Sequence, residues 1–357
     1  MIRTHVLGIG SYVPDRVVTN DELRFLDDKH VRQETQTIET DDEWIQKRTG
    51  IKERRYVPND SSMWTSDLAL RASQAALADA GVAANEIDCI IFGTLSPDYH
   101  FPGTAVVLQK KLGISGQLNK ANTGCACFDI RQQCSSFVYG LQMADAFVKT
   151  GVYKRVLLVG AETHSHSLDF STRGRDVTVL FGDGASAMVL GPQETDDPRA
   201  GVLYTAAHAD GDGADDLSLH VFEINRLPYL NYNPADRETN QLMYPKMNGK
   251  RVFVQAVRGM STSTQKALQT TGLTWNDIDW FVPHQANLRI NEAVIMTAGI
   301  PAEKALNTIQ FYGNTTAATV PLTIDHWRKA GKVKRGDRIL SSVFGSGFTW
   351  GAAIFTL

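Results

Sequence analysis

The chain has 357 residues, 43% hydrophobic and 21% charged, with a formal net charge of -3. That is enough for one large domain or two medium ones, and too balanced for a disordered or low-complexity protein. The slightly acidic balance excludes a global attraction to nucleic acid or an anionic membrane, so any basic docking surface must be local.

The first residues, MIRTHVLGIGSYVP, hold only a short apolar stretch, and no run of about 18 apolar residues follows, which reads as a cytoplasmic chain without a membrane anchor. A polar excursion at 27–40 comes next. Residues 76–93, ALADAGVAANEIDCIIFG, read as a helix ended by Gly81, a polar turn and a buried strand. Of the four cysteines, Cys89, Cys125, Cys127 and Cys134, three fall within ten positions; this is no disulfide framework but a set of thiols in a reducing compartment.

Cys134 follows a polar approach and precedes Phe137, Leu141, Ala144 and Phe147 at helical spacing. At such a helix start the free N–H groups and the dipole favour a thiolate, which lowers the thiol pKa and makes a nucleophile. A buried structural thiol is the competing reading, and it is the one given to Cys125 and Cys127. The strand RVLLVG from Arg155 leads to HSHS, whose His164 and His166 would share one strand face without a third ligand, and then to FGDGAS, which lacks a P-loop lysine.

Residues 191–200 are polar with two prolines and suit a connector. Beyond them, residues 210–244 mix acids with Phe222, Leu227, Tyr229, Leu230 and Tyr232, either a flap over an apolar site or a surface excursion packing its own aromatics. DGDGADD at Asp210 imitates a calcium loop but places Val221 where a carboxylate is needed, so no metal site is expected.

Residues 267–284, ALQTTGLTWNDIDWFVPH, align without a gap on 76–93, and RILSSV from Arg338 followed by FGSGFTWG repeats the RVLLVG–FGDGAS order. The chain is therefore expected to form two similar halves, 1–195 and 196–357. His284 leaves the end of a buried strand, where α/β proteins bind ligands. Asn314 stands seventeen residues before Gly331, as Cys134 stands before Gly151, so pseudo-symmetry is expected to bring those helix starts together. Asn314 as a simple N-cap is the alternative. The glycine-punctuated FGSGFTWG turn can aim amides at an oxyanion.

With LGIGSYVPDRVVTN, DDEWIQKRTGIKER, DIRQQCSSF, LFGDGAS, VPHQANLRI, YGNTTAATVP and FGSGFTWG in order, the chain closely resembles the β-ketoacyl-acyl-carrier-protein synthase III family of the thiolase superfamily. The resemblance implies a thiolase-like, five-layered α-β-α-β-α fold, a homodimer, no cofactor, and a Cys134–His284–Asn314 triad. In the implied reaction an acyl-CoA acylates the cysteine, and decarboxylation of malonyl-acyl-carrier-protein supplies the carbon nucleophile; the alternative is a related thiolase-superfamily acyltransferase or condensing enzyme of a secondary pathway, and behind it a Cys-His-Asn thioester hydrolase. The same resemblance implies an oxyanion hole from the N–H groups of Cys134 and Ser346, and coenzyme A contacts at Trp44, Arg175, Gly249 and Asn287. It further implies an acyl-pocket residue, Phe101, reaching across the dimer, and carrier-protein docking by Lys250, Arg251, Arg258 and Arg289. The chain departs from the family pattern at Ser346, at Ser135-Ser136 and at Val254, where a docking lysine is replaced. Acyl chain length is not implied.

Overall fold

The computed structural model describes residues 2–58, 63–116, 124–220 and 243–357. The aromatic part of the second excursion, with Phe222, Leu227, Tyr229, Leu230 and Tyr232, and Val221 lie outside the described residues.

Largely apolar runs become strands covered on both faces. Cys89–Gly93, Val156–Glu162 and Arg338–Gly345 are buried at every position. One sheet has the spatial order Ile2–Tyr12, Gly184–Glu194, Val156–Glu162, Cys89–Gly93, Ala126–Ile130; the other runs Val202–Ala209, Thr349–Thr356, Arg338–Gly345, Trp280–Pro283. The two orders correspond strand for strand. Where the first sheet has Ala126–Ile130 beside Cys89–Gly93, the second has a single parallel bridge, Phe281 to Ala305.

Two helices, Ser136–Thr150 and Thr319–Lys329, lie between the sheets. Phe137, Leu141, Ala144, Val148, Val320 and Ile324 share one core with Leu158, Met188, Val282, Ile339 and Phe355 from both sheets. Outside the first sheet, Thr65–Ala80 packs Leu68, Ala72 and Ala76 on Ile90, Phe92 and Leu157. Outside the second, Gly249–Thr271 and Leu288–Ala298 pack Met260, Ala267 and Val294 on Phe281, Leu340 and Ile354. These are the expected five layers.

The aligned segments match in detail. Gly81 and Gly272 cap their helices in the left-handed region, and Ala84–Glu86 and Trp275–Asp277 form equivalent short 3₁₀ turns. Asp88 accepts from the N–H of Arg155 at 2.9 Å, as Asp279 does from that of Arg338 at 2.8 Å.

The spacing argument for Asn314 needs a correction. The 3₁₀ turns Gln133–Ser135 and Thr316–Ala318 open the two central helices, so the counterpart of Cys134 is Ala317. The second helix ends earlier, at Lys329, which makes its closing glycine a poor ruler. Asn314 itself precedes the turn, in a parallel bridge to Phe181, so the spacing marks the right segment but not an equivalent residue. The two helix starts do meet: a Cβ added at Gly93 would lie 2.5 Å from Ser136 Cβ and 3.5 Å from Ala317 Cβ.

The first excursion is a packed element. Its Ile38, with Leu26 just before the excursion, is fully buried against Phe170 and Val179, and His30 Nε2 lies 2.8 Å from Ser165 O. Its last residues brace the turn carrying Arg175, through Arg175 Nη1 donating to Glu39 O at 3.0 Å and Glu39 N–H to Thr172 Oγ1 at 2.9 Å.

Candidate active site

Cys134, His284 and Asn314 are each less than 8% exposed and line a single cavity of about 540 Å³. Cys134 sits in the turn before helix Ser136–Thr150, His284 directly follows strand Trp280–Pro283, and Asn314 is tied to the first half by its N–H to Leu180 O at 2.8 Å.

Hydrogen bonds fix what each group presents. Asn314 Oδ1 accepts the Thr316 N–H at 2.8 Å, which leaves the amide NH₂ as the part that bonds the Cys134 thiol. The asparagine is therefore a donor in the site. His284 Nδ1 lies 2.7 Å from Thr319 Oγ1, while its Nε2 is buried with no partner among the described residues. Burial pushes the imidazole down to about 3, so it is neutral at ordinary pH.

The thiol differs from the expectation drawn from its helix start. Burial pushes Cys134 up to about 12, the Glu162 carboxylate adds to the rise, and hydrogen bonds from Asn314 and Thr316 work in the other direction. Desolvation outweighs the exposed amides, so the resting group is a thiol that needs a proton acceptor to attack.

The FGSGFTWG turn lies against the cysteine. A Cβ at Gly345 would stand 3.2 Å from Cys134 N and 3.1 Å from Ser135 N, so the glycine keeps open the space above those amides. Ser135 Oγ donates to Thr349 O at 2.9 Å, and Thr349 Oγ1 donates to Ser135 Oγ at 3.1 Å and bonds Ser346 O at 3.1 Å. Ser135 thus staples the turn to the nucleophile's own turn.

At the outer end of the cavity Trp44 lies under two guanidinium groups, Arg48 at 4.2 Å and Arg175 at 4.8 Å from its ring centroid. Arg173 is engaged elsewhere, with Asp169 at 2.6 Å. Gly249 and Asn287 line the passage, and Lys250 and Arg289 stand at its rim. Arg251 pairs with Asp216 at 2.9 Å, whereas Arg258 is exposed on the same helix and Val254 is 54% exposed between them. Phe101 is 82% exposed and does not line this chain's cavity.

One sequence reading resolves differently, and two motifs set aside there prove to be structural. His164 and His166 lie in the 3₁₀ turn His164–Ser167, not a strand, and their rings diverge, one to Phe181 at 4.5 Å and the other to His30 at 5.8 Å. Asp183 of FGDGAS is a buried clamp that accepts from Val57 N–H at 2.8 Å and Ser165 N–H at 2.9 Å. Asp210 caps its own turn by accepting from Asp212 N–H at 3.0 Å, and no cluster placed to hold a metal occurs among the described residues. The sequence did not single out Thr316, Thr319 or Gly345. Threonines at a helix start carry no signal beyond capping, and only the FGSG glycines hinted at a close approach.

Two family models match the chain: 3-oxoacyl-acyl-carrier-protein synthase III over residues 128–211, and its C-terminal part over 268–357. A β-ketoacyl-acyl-carrier-protein synthase III of Bradyrhizobium diazoefficiens is 43% identical over 99% of this chain and 98% of its own length. The crystal structure of 3-oxoacyl-acyl-carrier-protein synthase III from Aquifex aeolicus matches with a TM-score of 0.82 and 36% identity over 99% of this chain and all (100%) of that one. The priming β-ketosynthase of a polyketide biosynthetic pathway matches with a TM-score of 0.82 and 31% identity, over 99% of this chain and 96% of that one. The chain belongs to the β-ketoacyl-acyl-carrier-protein synthase III family, acyltransferase-type condensing enzymes with the thiolase fold.

Proposed function

We propose that the chain condenses an acyl-CoA primer with malonyl-acyl-carrier-protein, releasing CO₂ and coenzyme A and starting fatty acid synthesis through an acyl group held on Cys134. The supporting observation is the convergence of a buried thiol, a neutral imidazole with an unpartnered Nε2, and an amide fixed as donor in one cavity.

In the first half-reaction His284 Nε2 takes the thiol proton as sulfur attacks the thioester carbonyl, and returns it to the departing coenzyme A sulfur. This requires hydrogen on Nδ1, which Thr319 Oγ1 accepts while giving its own hydrogen to Thr316 O, 3.1 Å away. In the second, loss of CO₂ places negative charge on the malonyl thioester oxygen, and Asn314 Nδ2–H and His284 Nε2–H stabilise it, each by about 3 kcal/mol. That requires the other tautomer: after coenzyme A leaves, Nε2 takes a proton from solvent and Nδ1 gives one up, and the Thr319 hydroxyl then turns to donate to Nδ1. The enolate carbon then attacks the acyl-Cys134 carbonyl, whose oxyanion is held by the Cys134 and Ser346 amides. Collapse releases the Cys134 thiolate, which takes one proton from solvent.

Coenzyme A enters with its adenine at Trp44 and Arg175, whose present stacking at 4.8 Å must open to admit it, and its pantetheine along Gly249 and Asn287. The acidic carrier docks on Lys250, Arg258 and Arg289, with Arg251 contributing only by giving up Asp216. A homodimer fits strand Ala126–Ile130, the edge of its sheet among the described residues, and the exposed Phe101, whose acyl pocket then belongs to the second subunit. The halves divide as 1–195 and 196–357. A cytoplasmic setting agrees with four unpaired cysteines, and no described helix is long and apolar enough to cross a membrane.

Purified protein given short, medium and branched acyl-CoA primers should gain the acyl mass on Cys134, then release CO₂ and β-ketoacyl product when malonyl-acyl-carrier-protein is added. Cys134→Ala should lose both. An adduct that survives in Cys134→Ala, or no CO₂ with any primer, overturns the reading.

A further inference from the structure

Residues 97–103 form a short finger tipped by Phe101, and it is braced more closely than an exposed loop requires. Tyr99 is 49% and Phe101 82% exposed, yet both roots of the finger stand on carboxylates from other elements. At the first root Glu162, the last residue of strand Val156–Glu162, accepts the Leu95 and Ser96 N–H groups at 3.1 Å each and Ser96 Oγ–H at 2.6 Å. At the second, Asp129 accepts the Thr104 N–H at 2.6 Å and the Ala105 N–H at 2.8 Å. The Asp98 N–H closes the loop by donating to Thr104 Oγ1 at 3.3 Å.

The second root opens helix Thr104–Lys111, whose N-cap position is Gly103, a residue with no side chain to satisfy the first free amides. Asp129 delivers the cap from strand Ala126–Ile130 instead. Space accounts for the glycine. Its φ of -64° is open to any residue, but an added Cβ would lie 2.6 Å from Asp129 Oδ1, 2.8 Å from its Cγ and 3.1 Å from its Oδ2. The atoms nearest that Cβ all belong to the one carboxylate, so the missing side chain is what lets Asp129 reach the helix start. The strand that carries Asp129 is also the sheet edge assigned above to the homodimer. One strand thus meets the second subunit and sets where the finger enters it.

We propose that Asp129 is a positioning residue for primer selection: by capping helix Thr104–Lys111 from the edge strand it fixes the finger, and so sets how far Phe101 reaches into the second subunit's acyl pocket. A wall held at one depth rejects primers that are too long, and a frayed root lets the wall yield. The inference rests on acylation of Cys134 and on the placement of Phe101 proposed above.

The test offers the full chain an equimolar mixture of acetyl-, hexanoyl- and decanoyl-CoA and reads the acyl masses on Cys134. A ratio of masses cancels both the fraction folded and the reactivity of the thiol, so a merely structural loss does not move it. Asp129→Ala should raise the share of longer over shorter acyl groups about tenfold, the low end of what one methylene of pocket fit is worth, in the same direction as Phe101→Ala. Gly103→Ala, whose methyl displaces the carboxylate and leaves the strand intact, should do likewise, and Gly103→Ala with Asp129→Ala should match Asp129→Ala alone. Asp129→Asn, with one acceptor for two amides, should fall between. A wild-type ratio in Asp129→Ala, or additive shifts in the double variant, overturns the proposal; a ratio unmoved by Phe101→Ala overturns it together with the placement of Phe101. Should Asp129→Ala fail to fold, Gly103→Ala decides by the same ratio. Wild-type protein that takes no acyl group defeats the condensing reading instead. The hold of Asp129 is then read from amide hydrogen exchange, where residues 98–105 should exchange about tenfold faster in both variants, and equal rates overturn it.

Discussion

The turns that open the two central helices are one backbone device put to two uses. Each begins on a side-chain-bearing residue in the left-handed region, Gln133 at φ 43° and Thr316 at φ 48°, and each feeds a helix with no side-chain cap. Such positions cost about 1–3 kcal/mol and persist where surrounding structure holds them, commonly at functional sites. The first turn presents a thiol and its amides, while the second, with Asn314 just before it, presents an amide NH₂ and a hydroxyl. Duplication thus supplied two aimed helix starts, and side-chain replacement divided nucleophile from donors between them.

If labour is divided in this way, Asn314→Ala should lower condensation by about 10²–10³, the size of one lost oxyanion donor, while acylation of Cys134 falls less than tenfold. Intact-mass acylation and CO₂ release measure the two separately. Equal losses in both would mean that the second turn serves the nucleophile as much as the enolate, and the comparison would fail.

The seats of the turns differ as well. Gly93 lies under the first, where an added Cβ would meet the Ser136 side chain at 2.5 Å; Gly160 lies under the second, where it would overlap the Ala317 carbonyl and reach Ala318 N at 3.0 Å. The Ser136 Cβ yields only as far as its own backbone shifts, but at Gly160 the added atom overruns two bonded backbone atoms at once, the Ala317 carbonyl carbon and oxygen. Gly160→Ala should therefore cost about 3 kcal/mol of stability and Gly93→Ala less, since overpacking a tight contact costs about 1–3 kcal/mol. Urea unfolding of both variants checks the order, and a costlier Gly93→Ala would show that the first turn is the rigid one.

What the sequence disclosed follows the same division. Helix ends at Gly81 and Gly272, the strands that follow, and the chemistry of Cys134, His284 and Asn314 are written locally, in caps, apolar runs and residue type. The direction of the Cys134 pKa shift was not, because burial depends on both sheets closing over the site. Nor were the contact of His164 with Thr316, 152 residues apart, or the engagement of Arg251 by Asp216. HSHS reads equally well as a strand until Asp183 bends it into a turn.

The smallest effect concerns the staple between the first turn and FGSGFTWG. Ser135→Ala removes the donor to Thr349 O, 2.9 Å away, but Thr349 Oγ1 keeps Ser346 O as a partner at 3.1 Å, so no hydroxyl is stranded. The cost should be about 1 kcal/mol, with melting lowered by about 2 °C for a chain of this size. The kinetic outcome is the more telling one. If the Ser346 amide holds the oxyanion in both half-reactions, a loosened turn should slow acylation and condensation by the same two- to fivefold factor, unlike Asn314→Ala, which separates them. A loss confined to condensation would place the turn with the second helix start instead of the first.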